Sequence, residues 1–239
     1  MAGPKTQSGA QPDEHQHSVL PETVKHYLET IFYIEREGER VRPGRIAEWM
    51  GLTAPTVSVT LRRLREQGWI EVAKDRTVAL SPAGVELASE VVRVHRLLER
   101  WLTDVLGFDW AQADRYAQEI APSISPDVAD RLDEHLGHPT TCPHGNVIPG
   151  REAPYGALTA LSDLAPGTTA RVCRISEVAE HDAPRLLEQL NRVGIVTGAE
   201  LTVTQDGRDA GAVTVTVAGQ PTAIGTDMAR FIWLAPDAA

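Results

Sequence analysis

Residues 45–72 read RIAEWMGLTAPTVSVTLRRLREQGWIEV, and this stretch contains the pattern of two short helices joined by a tight turn. The first helix is expected to begin near Pro43 and to end at Gly51, because proline favours the first helical turn and glycine a helix end. Thr53 is a typical cap for the second helix, which ends before Gly68. The apolar stripe of the second helix consists of Val57, Leu61 and Leu64. This spacing predicts a helix-turn-helix.

The residues on either side extend this unit into a winged helix. Apolar residues recur at helical spacing over residues 21–37, which predicts a preceding helix. Residues 69–80 form two alternating runs around the polar turn 74–76, which predicts a β-hairpin, the wing. We therefore expect a winged helix-turn-helix DNA-binding domain over residues 19–81.

Positive charge is concentrated in this unit. Eight Arg or Lys residues and four acidic residues lie between Arg40 and Arg76, although the whole chain has a net charge of -10. A local positive face on an acidic protein suits duplex DNA, because phosphate contacts release counterions. The candidate DNA-contact residues are Thr53, Thr56, Ser58, Arg62, Arg63 and Arg76. The alternative is a merely solvated face, since helix-turn-helix geometry also occurs in proteins that do not bind DNA.

A helical domain is expected after the wing. Ser81 and the proline after it are a typical helix start, and apolar residues continue at helical spacing to Gly107. Two shorter helices are predicted over residues 110–121 and 126–136. Helices that follow a DNA-reading unit commonly dimerise, so residues 82–138 are expected to form a helical dimerisation domain, whose candidate metal ligands are described below.

The remaining chain divides into a β-rich part and less regular segments. Residues 137–156 are rich in proline and glycine, which indicates a linker (139–158) or an ordered irregular segment. A small β-barrel is predicted over 159–239. Its strand-like runs are 170–175, 200–205 and 212–217, with one helix over 182–193. Residues 1–18 have no large apolar residue beyond Met1 and are expected to be a disordered tail.

Composition excludes several classes of protein. With 42% hydrophobic and 23% charged residues, the 239-residue chain is expected to be globular, mainly α with β. No run of 18 or more apolar residues and no secretion-signal pattern is present, so we expect a cytoplasmic protein with no membrane partner. The two cysteines, Cys142 and Cys173, exclude a disulfide framework and a four-thiolate metal site.

The long helix contains a candidate metal site. His95 and Glu99 are four residues apart, so both project from one helix face and are placed to chelate one ion, with Asp114 as a third ligand. Imidazole and carboxylate ligands favour Mn(II), Fe(II) or Zn(II) over Cu(I). The simpler alternative is a His–Glu pair on an exposed surface. A rival zinc cluster consists of His135, His138, Cys142 and His144.

A metal-dependent hydrolase built on His95, Glu99 and Asp114 is one hypothesis for the function of this candidate site. The sequence has no nucleophile elbow, phosphate-binding glycine loop or HExxH run beside these residues. We therefore expect no enzymatic activity.

Several segments together resemble the diphtheria-toxin-repressor family of metal-dependent transcription regulators, including its manganese-sensing branch. They are HYLETIFYIEREG (26–38), the stretch 45–72, LSPAG (80–84), VHRLLERWLTDVLG (94–107), ISPDVADRL (124–132) and CPHGNVIPG (142–150). The resemblance spans residues 21–236 and implies an SH3-like, FeoA-like C-terminal domain. It also implies a homodimer that binds a palindromic operator when loaded with Fe(II) or Mn(II) and represses metal-uptake genes.

The resemblance implies two metal sites. His95, Glu99 and Asp114 match the family's ancillary site, which groups from the SH3-like domain complete, and Glu180 matches such a position. His26 and Gln118 match ligand positions of the primary site. The family's Glu-His pair at that site is replaced by Ala121 and Pro122 in this chain, and neither offers a side-chain ligand. The alternative function is therefore a metal-independent or differently gated regulator of the same fold.

Overall fold

The structure, a computed structural model, describes residues 20–182, 185–207 and 211–236. The predicted tail 1–18 lies outside the described residues. The helices are α1 (Glu22–Arg36), α2 (Pro43–Trp49), α3 (Ala54–Glu66), α4 (Pro82–Arg100), α5 (Trp110–Ile120), α6 (Pro126–His135), α7 (Glu177–Asp182), α8 (Leu186–Val193) and α9 (Thr226–Ala229). The strands are β1 (Ile70–Val72), β2 (Val78–Leu80), β3 (Thr159–Ala160), β4 (Thr169–Ile175), β5 (Glu200–Gly207), β6 (Ala212–Val217), β7 (Gln220–Gly225) and β8 (Ile232–Pro236). Across the described residues, no helix has both the length and the apolar character needed to span a bilayer.

The N-terminal unit is a winged helix-turn-helix, as predicted. Thr53 caps α3, since its hydroxyl accepts a hydrogen bond from the backbone N–H of Thr56. The predicted stripe of α3 is buried against α1 and α2, in a core that includes Tyr27 and Ile31. Strands β1 and β2 pair antiparallel, with Ile70 opposite Leu80, and form the wing.

Helix α4 leads from the wing into the helical domain. The Ser81 hydroxyl caps it by accepting from the N–H of Gly84 at 3.1 Å. The helix continues as a wider π turn over Trp101–Val105, so the predicted long helix is present. Helix α4 packs against α1, α5 and α6, which places it between the DNA-binding unit and the second domain.

The C-terminal part is built on an antiparallel sheet. Six described strands are ordered β3-β8-β4-β5-β6-β7, with irregular register in β4 and β5. The helix predicted over 182–193 is present as α8, which begins at Leu186 and ends at Val193, and a further short helix, α7, precedes it in the chain. The sequence has Pro184 inside the predicted helix, and proline is unfavourable in a helix interior.

The segment predicted as a linker or as ordered irregular structure is ordered, and its central part, residues 141–148, is mostly buried. Cys142 and Ile148 have no exposed surface, and Thr141 pairs with Val147 in an isolated antiparallel bridge. Gly145 has a φ of 86°, and a Cβ at this position would collide with the carbonyl oxygen of Cys173. The segment is therefore held between α4 and β4, although the domain boundaries themselves stay a prediction.

Polar contacts join the C-terminal domain to the other two. Arg96 of α4 donates to Glu177 Oε1 at 2.6 and 3.0 Å, and both side chains are buried. Arg174 of β4 donates to both carboxylate oxygens of Glu37 at 2.8 and 3.0 Å. The arrangement of the three parts therefore depends on charged groups as well as on apolar packing.

Candidate metal centre and DNA-contact face

A cluster of buried metal-ligand side chains lies where α4 meets α5. His95 Nε2 is 3.7 Å from Glu99 Oε1 and 3.3 Å from Asp114 Oδ1. The ligand atoms of these three residues all lie within 4.8 Å of one another. His95 is 5% exposed and Glu99 2%, so the alternative of an exposed surface pair does not fit. The i, i+4 spacing on α4 and the crossing of α5 bring the three groups together.

Glu29 of α1 adds a further carboxylate that the sequence did not single out as a ligand. Its Oε1 lies 3.8 Å from His95 Nδ1 and accepts a hydrogen bond from the Tyr33 hydroxyl at 2.9 Å. His95 Nδ1 is buried and has no hydrogen-bond partner among the described residues. The one available signal was the position of Glu29 one turn after His26. The cluster therefore connects the DNA-binding unit directly to the helical domain.

The cluster strongly favours positive charge. Burial lowers the pKa of His95, but hydrogen bonds to Asp114 and Glu99 and the charges of Glu99 and Glu29 raise it well above its usual value. Burial raises the pKa of Glu99, but the His144 and His95 imidazoles outweigh this effect and hold that pKa below its usual range. Such an excess of carboxylates around an imidazole suits a divalent cation.

The structure separates the rival cluster predicted for the linker. His144 Nδ1 lies 3.2 Å from Glu99 Oε1, and the ligand atoms of Glu99, Cys142 and His144 all lie within 4.8 Å. His138 instead contacts the Asp133 carboxylate at 3.3 Å. His135, at the end of α6, belongs to no such ligand group in the described part of the chain. The predicted four-residue zinc cluster is therefore wrong, because the segment folds inward after His138.

Burial distinguishes Cys142 from the other cysteine. Desolvation and the nearby Glu99 charge raise the pKa of the buried Cys142 thiol. Cys173 is half-buried, and its Sγ lies 3.5 Å from the carbonyl oxygen of Arg171. No spacing rule connects residue 99 with residues 142 and 144, so their meeting depends on the path of the buried segment.

The two residues predicted at the primary site line a cavity of about 800 Å³ between α1, α4 and the end of α5. His26 and Gln118 share this cavity with Ala121 and Pro122. Residues Ala121–Ser123 form a 3₁₀ turn after α5. In the described ranges, His26 belongs to no group of three or more His, Cys, Asp or Glu ligands. The structure therefore does not gather a second ligand set at this position.

The remaining predicted ligand comes from the C-terminal domain. Glu180 belongs to α7, but its side chain lies outside the described residues. The neighbouring His181 stacks on Trp49, with ring centroids 4.4 Å apart, and its Nε2 lies 2.6 Å from the Trp49 carbonyl oxygen. His181 is therefore engaged with α2.

The predicted DNA-contact side chains share one property: all are exposed. They are Thr53, Thr56, Ser58, Arg62, Arg63 and Arg76. The Thr53 and Thr56 hydroxyls lie 2.9 Å apart at the start of α3, and the Ser58 hydroxyl donates to the Ala54 carbonyl. Arg76 lies in the wing turn with a φ of 68°. The exposed face of α3 and the wing therefore carry hydroxyl and guanidinium groups without covering protein.

Fold and site together define a metal-dependent, DNA-binding transcription repressor. Residues 19–78 match the family described as "Iron dependent repressor, N-terminal DNA binding domain", and residues 81–150 match its "metal binding and dimerisation domain". Residues 159–236 match the FeoA domain. The chain belongs to the iron-dependent repressor family, which confirms the resemblance noted in the sequence.

Named relatives support this assignment along most of the chain. The iron-dependent repressor IdeR of Mycobacterium tuberculosis (strain ATCC 25618 / H37Rv) is 36% identical over 211 residues, which cover 84% of this chain and 90% of the relative. The diphtheria toxin repressor of Corynebacterium diphtheriae is 33% identical over 225 residues, covering 89% and 96%. A solved manganese-dependent transcriptional repressor in complex with manganese has a TM-score of 0.80 and 30% identity, covering 89% of this chain and 99% of that one.

Proposed function

We propose that this protein represses metal-uptake genes by binding a palindromic operator as a homodimer, with Mn(II) or Fe(II) as its effector and His95, Glu99 and Asp114 as ligands. The observation that carries the proposal is the buried cluster of these three side chains between α4 and α5, with Glu29 of α1 beside it. Glu180 is proposed to complete the site from the C-terminal domain.

The residues present fit such an ion. Imidazole and carboxylate ligands suit Mn(II), Fe(II) and Zn(II), and the buried His95 Nδ1 lacks a hydrogen-bond partner among the described residues. A bound divalent cation would supply the positive charge that compensates the mutual repulsion of the carboxylates. His26 and Gln118 are proposed as weaker contributors, because Ala121 and Pro122 beside them offer no ligand.

The positions of the ligands suggest how their arrangement affects DNA binding. Glu29 projects from α1, the core helix of the winged unit, whereas Asp114 projects from α5 of the second domain. His95 lies between them on α4, which starts directly after the wing. Effector binding shifts the protein toward one arrangement only by its differential affinity for that arrangement. Side chains that draw α1, α4 and α5 together therefore fix the orientation of α3.

The DNA contacts are proposed to come from α3 and the wing. Thr53, Thr56 and Ser58 at the start of α3 are placed to reach base edges in the major groove. Arg62, Arg63 and Arg76 are proposed to contact phosphates. A two-fold symmetric pair of winged units reads a palindrome, with its half-sites set by the dimer geometry.

The homodimer is proposed to form through the helical domain. Several large apolar side chains of this domain are exposed in the single chain, and such side chains commonly lie in interfaces. They are Val105, Leu106, Ile120 and Val128. We further propose that the protein acts in the cytoplasm, where operator DNA is found, and that it is not an enzyme.

A gel shift with and without chelator tests this function. The DNA is the promoter of the protein's own gene or of a neighbouring metal-transporter gene. A shift is expected in the presence of Mn(II) or Fe(II), with loss on adding chelator and recovery on adding metal. A shift that resists chelator would contradict metal control and support a differently gated regulator, and no shift at all would contradict operator binding.

A further inference from the structure

We propose that Val59, in the middle of α3, recognises the methyl group of a thymine in each half of the operator. The inference rests on the proposed function, because it names the base that this helix contacts in the major groove. Val59 is 49% exposed, and among the described residues it is the only exposed large hydrophobic side chain of α3.

Val59 projects directly away from the core of the winged unit. It lies two residues after Val57 and two residues before Leu61, and both of these side chains are buried. Successive helical residues are about 100° apart, so Val59 lies about 200° from each of them, on the opposite side of the helix. Core packing therefore does not explain a valine here. Helix propensity does not explain it either, because valine forms helices less well than alanine or the long polar residues.

The hydroxyl groups on either side of Val59 donate their protons within the helix. The Ser58 hydroxyl donates to the Ala54 carbonyl at 2.8 Å. The Thr60 hydroxyl donates to the Thr56 carbonyl at 3.3 Å. Hydroxyl groups bonded in this way offer a base only their oxygen, as an acceptor. The centre of the exposed face of α3 therefore presents an apolar surface rather than a hydrogen-bond donor.

Thymine carries the apolar group that such a surface selects. The base edges in the major groove present hydrogen-bond donors and acceptors, and thymine adds a methyl group. The valine side chain forms no hydrogen bond with a base edge, but it removes this methyl group from water. Arg62 and Arg63, three and four residues further along α3, are exposed on the same side of the helix and are proposed to hold it against the flanking phosphates.

Uracil in place of thymine tests the contact, because it removes the methyl group and leaves the hydrogen-bonding groups of the base unchanged. The duplex is the promoter segment that the protein protects from nuclease in the presence of Mn(II), and thymines are replaced one symmetry-related pair at a time. At one pair, we expect the affinity of the wild type to fall by about 4–15-fold, since burying one methyl group is worth about fourfold in an equilibrium constant. A wild type that binds every uracil duplex as tightly as the thymine duplex would overturn the inference.

Two variants assign the effect to Val59. Val59→Ala introduces a better helix former, so the fold is expected to be kept. This variant is expected to bind the thymine duplex about 4–15-fold more weakly and to lose the difference between thymine and uracil. Val85→Ala, the matched change at an exposed valine of α4, is expected to keep both the affinity and the difference.

The outcomes separate this inference from the proposed function. A preference for thymine that persists unchanged in Val59→Ala, in a protein that binds its operator, would overturn the role of Val59 alone. Failure of the wild type to bind the unmodified duplex would contradict operator binding itself, and the inference with it.

Discussion

His95 connects the three helices that have to move together if a metal ion is to control DNA binding. Its Nε2 faces Glu99 and Asp114, and its Nδ1 faces Glu29 of α1 at 3.8 Å. It is buried, so solvent screens its electrostatic contacts only weakly. A single side chain is thus in contact with both the winged unit and the helical domain.

Replacing His95 by alanine is expected to remove most of the metal stimulation of operator binding. An effector typically changes the affinity for a second ligand by about 5–150-fold. Replacing Gln118 by alanine is expected to have a smaller effect, because Ala121 and Pro122 beside it offer no further ligand. The measurement is operator affinity during titration with Mn(II) and Fe(II). Unchanged stimulation in the His95 variant would contradict the role given to this residue.

Asp133 provides a pH-dependent contribution to stability. Burial raises the pKa of Asp133, but hydrogen bonds from Arg93 and His138 and the charge of Arg151 lower it overall. Because the folded-state pKa is below the unfolded value of about 3.9, the contribution is complete above that pH and disappears as pH falls through the folded-state pKa. Asp133→Asn is expected to lower the free energy of unfolding by about 1–3 kcal/mol at pH 7.

The difference between the wild type and Asp133→Asn is then expected to shrink below about pH 4. Urea unfolding at several pH values measures it. A difference that stays constant from pH 7 to pH 3 would show that the carboxylate charge is not the cause.

The phosphate contacts proposed for α3 and the wing predict how operator affinity depends on salt concentration. Each lost phosphate contact reduces the slope of log affinity against log salt by roughly 0.9. Arg63→Ala, on the exposed face of α3, is expected to flatten the slope by about this amount. Arg192→Ala, an equally exposed change on α8, is the control and is expected to leave the slope unchanged. Equal slopes for the wild type and Arg63→Ala would exclude this phosphate contact.

Close packing at the first turn of α4 predicts that alanine is tolerated less well there than in α2. A Cβ at Gly84 would collide with the carbonyl oxygen of Trp69, next to the hairpin. Gly84→Ala is therefore expected to destabilise the protein by about 1–3 kcal/mol. Gly44→Ala, in the first turn of α2, meets nothing within 4 Å and is expected to stabilise by up to about 1 kcal/mol. Thermal unfolding of both variants measures the contrast, and similar effects of the two changes would refute it.

The elements that could be predicted from sequence are those with strong local signals. The Thr53 and Ser81 caps and the helical apolar stripes fixed α3 and α4, and the structure has both helices. The π turn at Trp101–Val105 follows the same apolar periodicity as an α-helix, so spacing alone does not distinguish it. The start of α8 at Leu186 was missed because the apolar pattern outweighed the signal from Pro184.

In the whole molecule, charged contacts hold the C-terminal domain against the winged unit. Arg174 on β4 binds both oxygens of Glu37, which follows α1. Arg174→Ala is expected to loosen this docking and to speed protease cleavage between residues 139 and 158 several-fold, since a charged hydrogen-bonded pair contributes about 1–3 kcal/mol. Arg171→Ala, an exposed change on the same strand, is the control. Identical cleavage rates for both variants would argue against a docking role for Arg174.

The residues of the metal cluster also differ in how far the sequence could predict them. His95 and Glu99 could be predicted because their ligand atoms meet across a single helical turn, and Asp114 because it offers a carboxylate on the next predicted helix. The approach of Cys142 and His144 to Glu99 could not, because a segment rich in proline and glycine has no periodicity that indicates burial. Glu29 could not be assigned to the cluster from the sequence, because only the packing of α1 on α4 brings it close to His95.

Anomalous diffraction from crystals grown with Mn(II), recorded at the manganese absorption edge, tests metal binding at the cluster most directly. The expected result is a peak within bonding distance of His95, Glu99 and Asp114. A map with no peak beside His95, in crystals of protein that still binds its operator, would contradict the proposal that metal at this cluster controls the repressor.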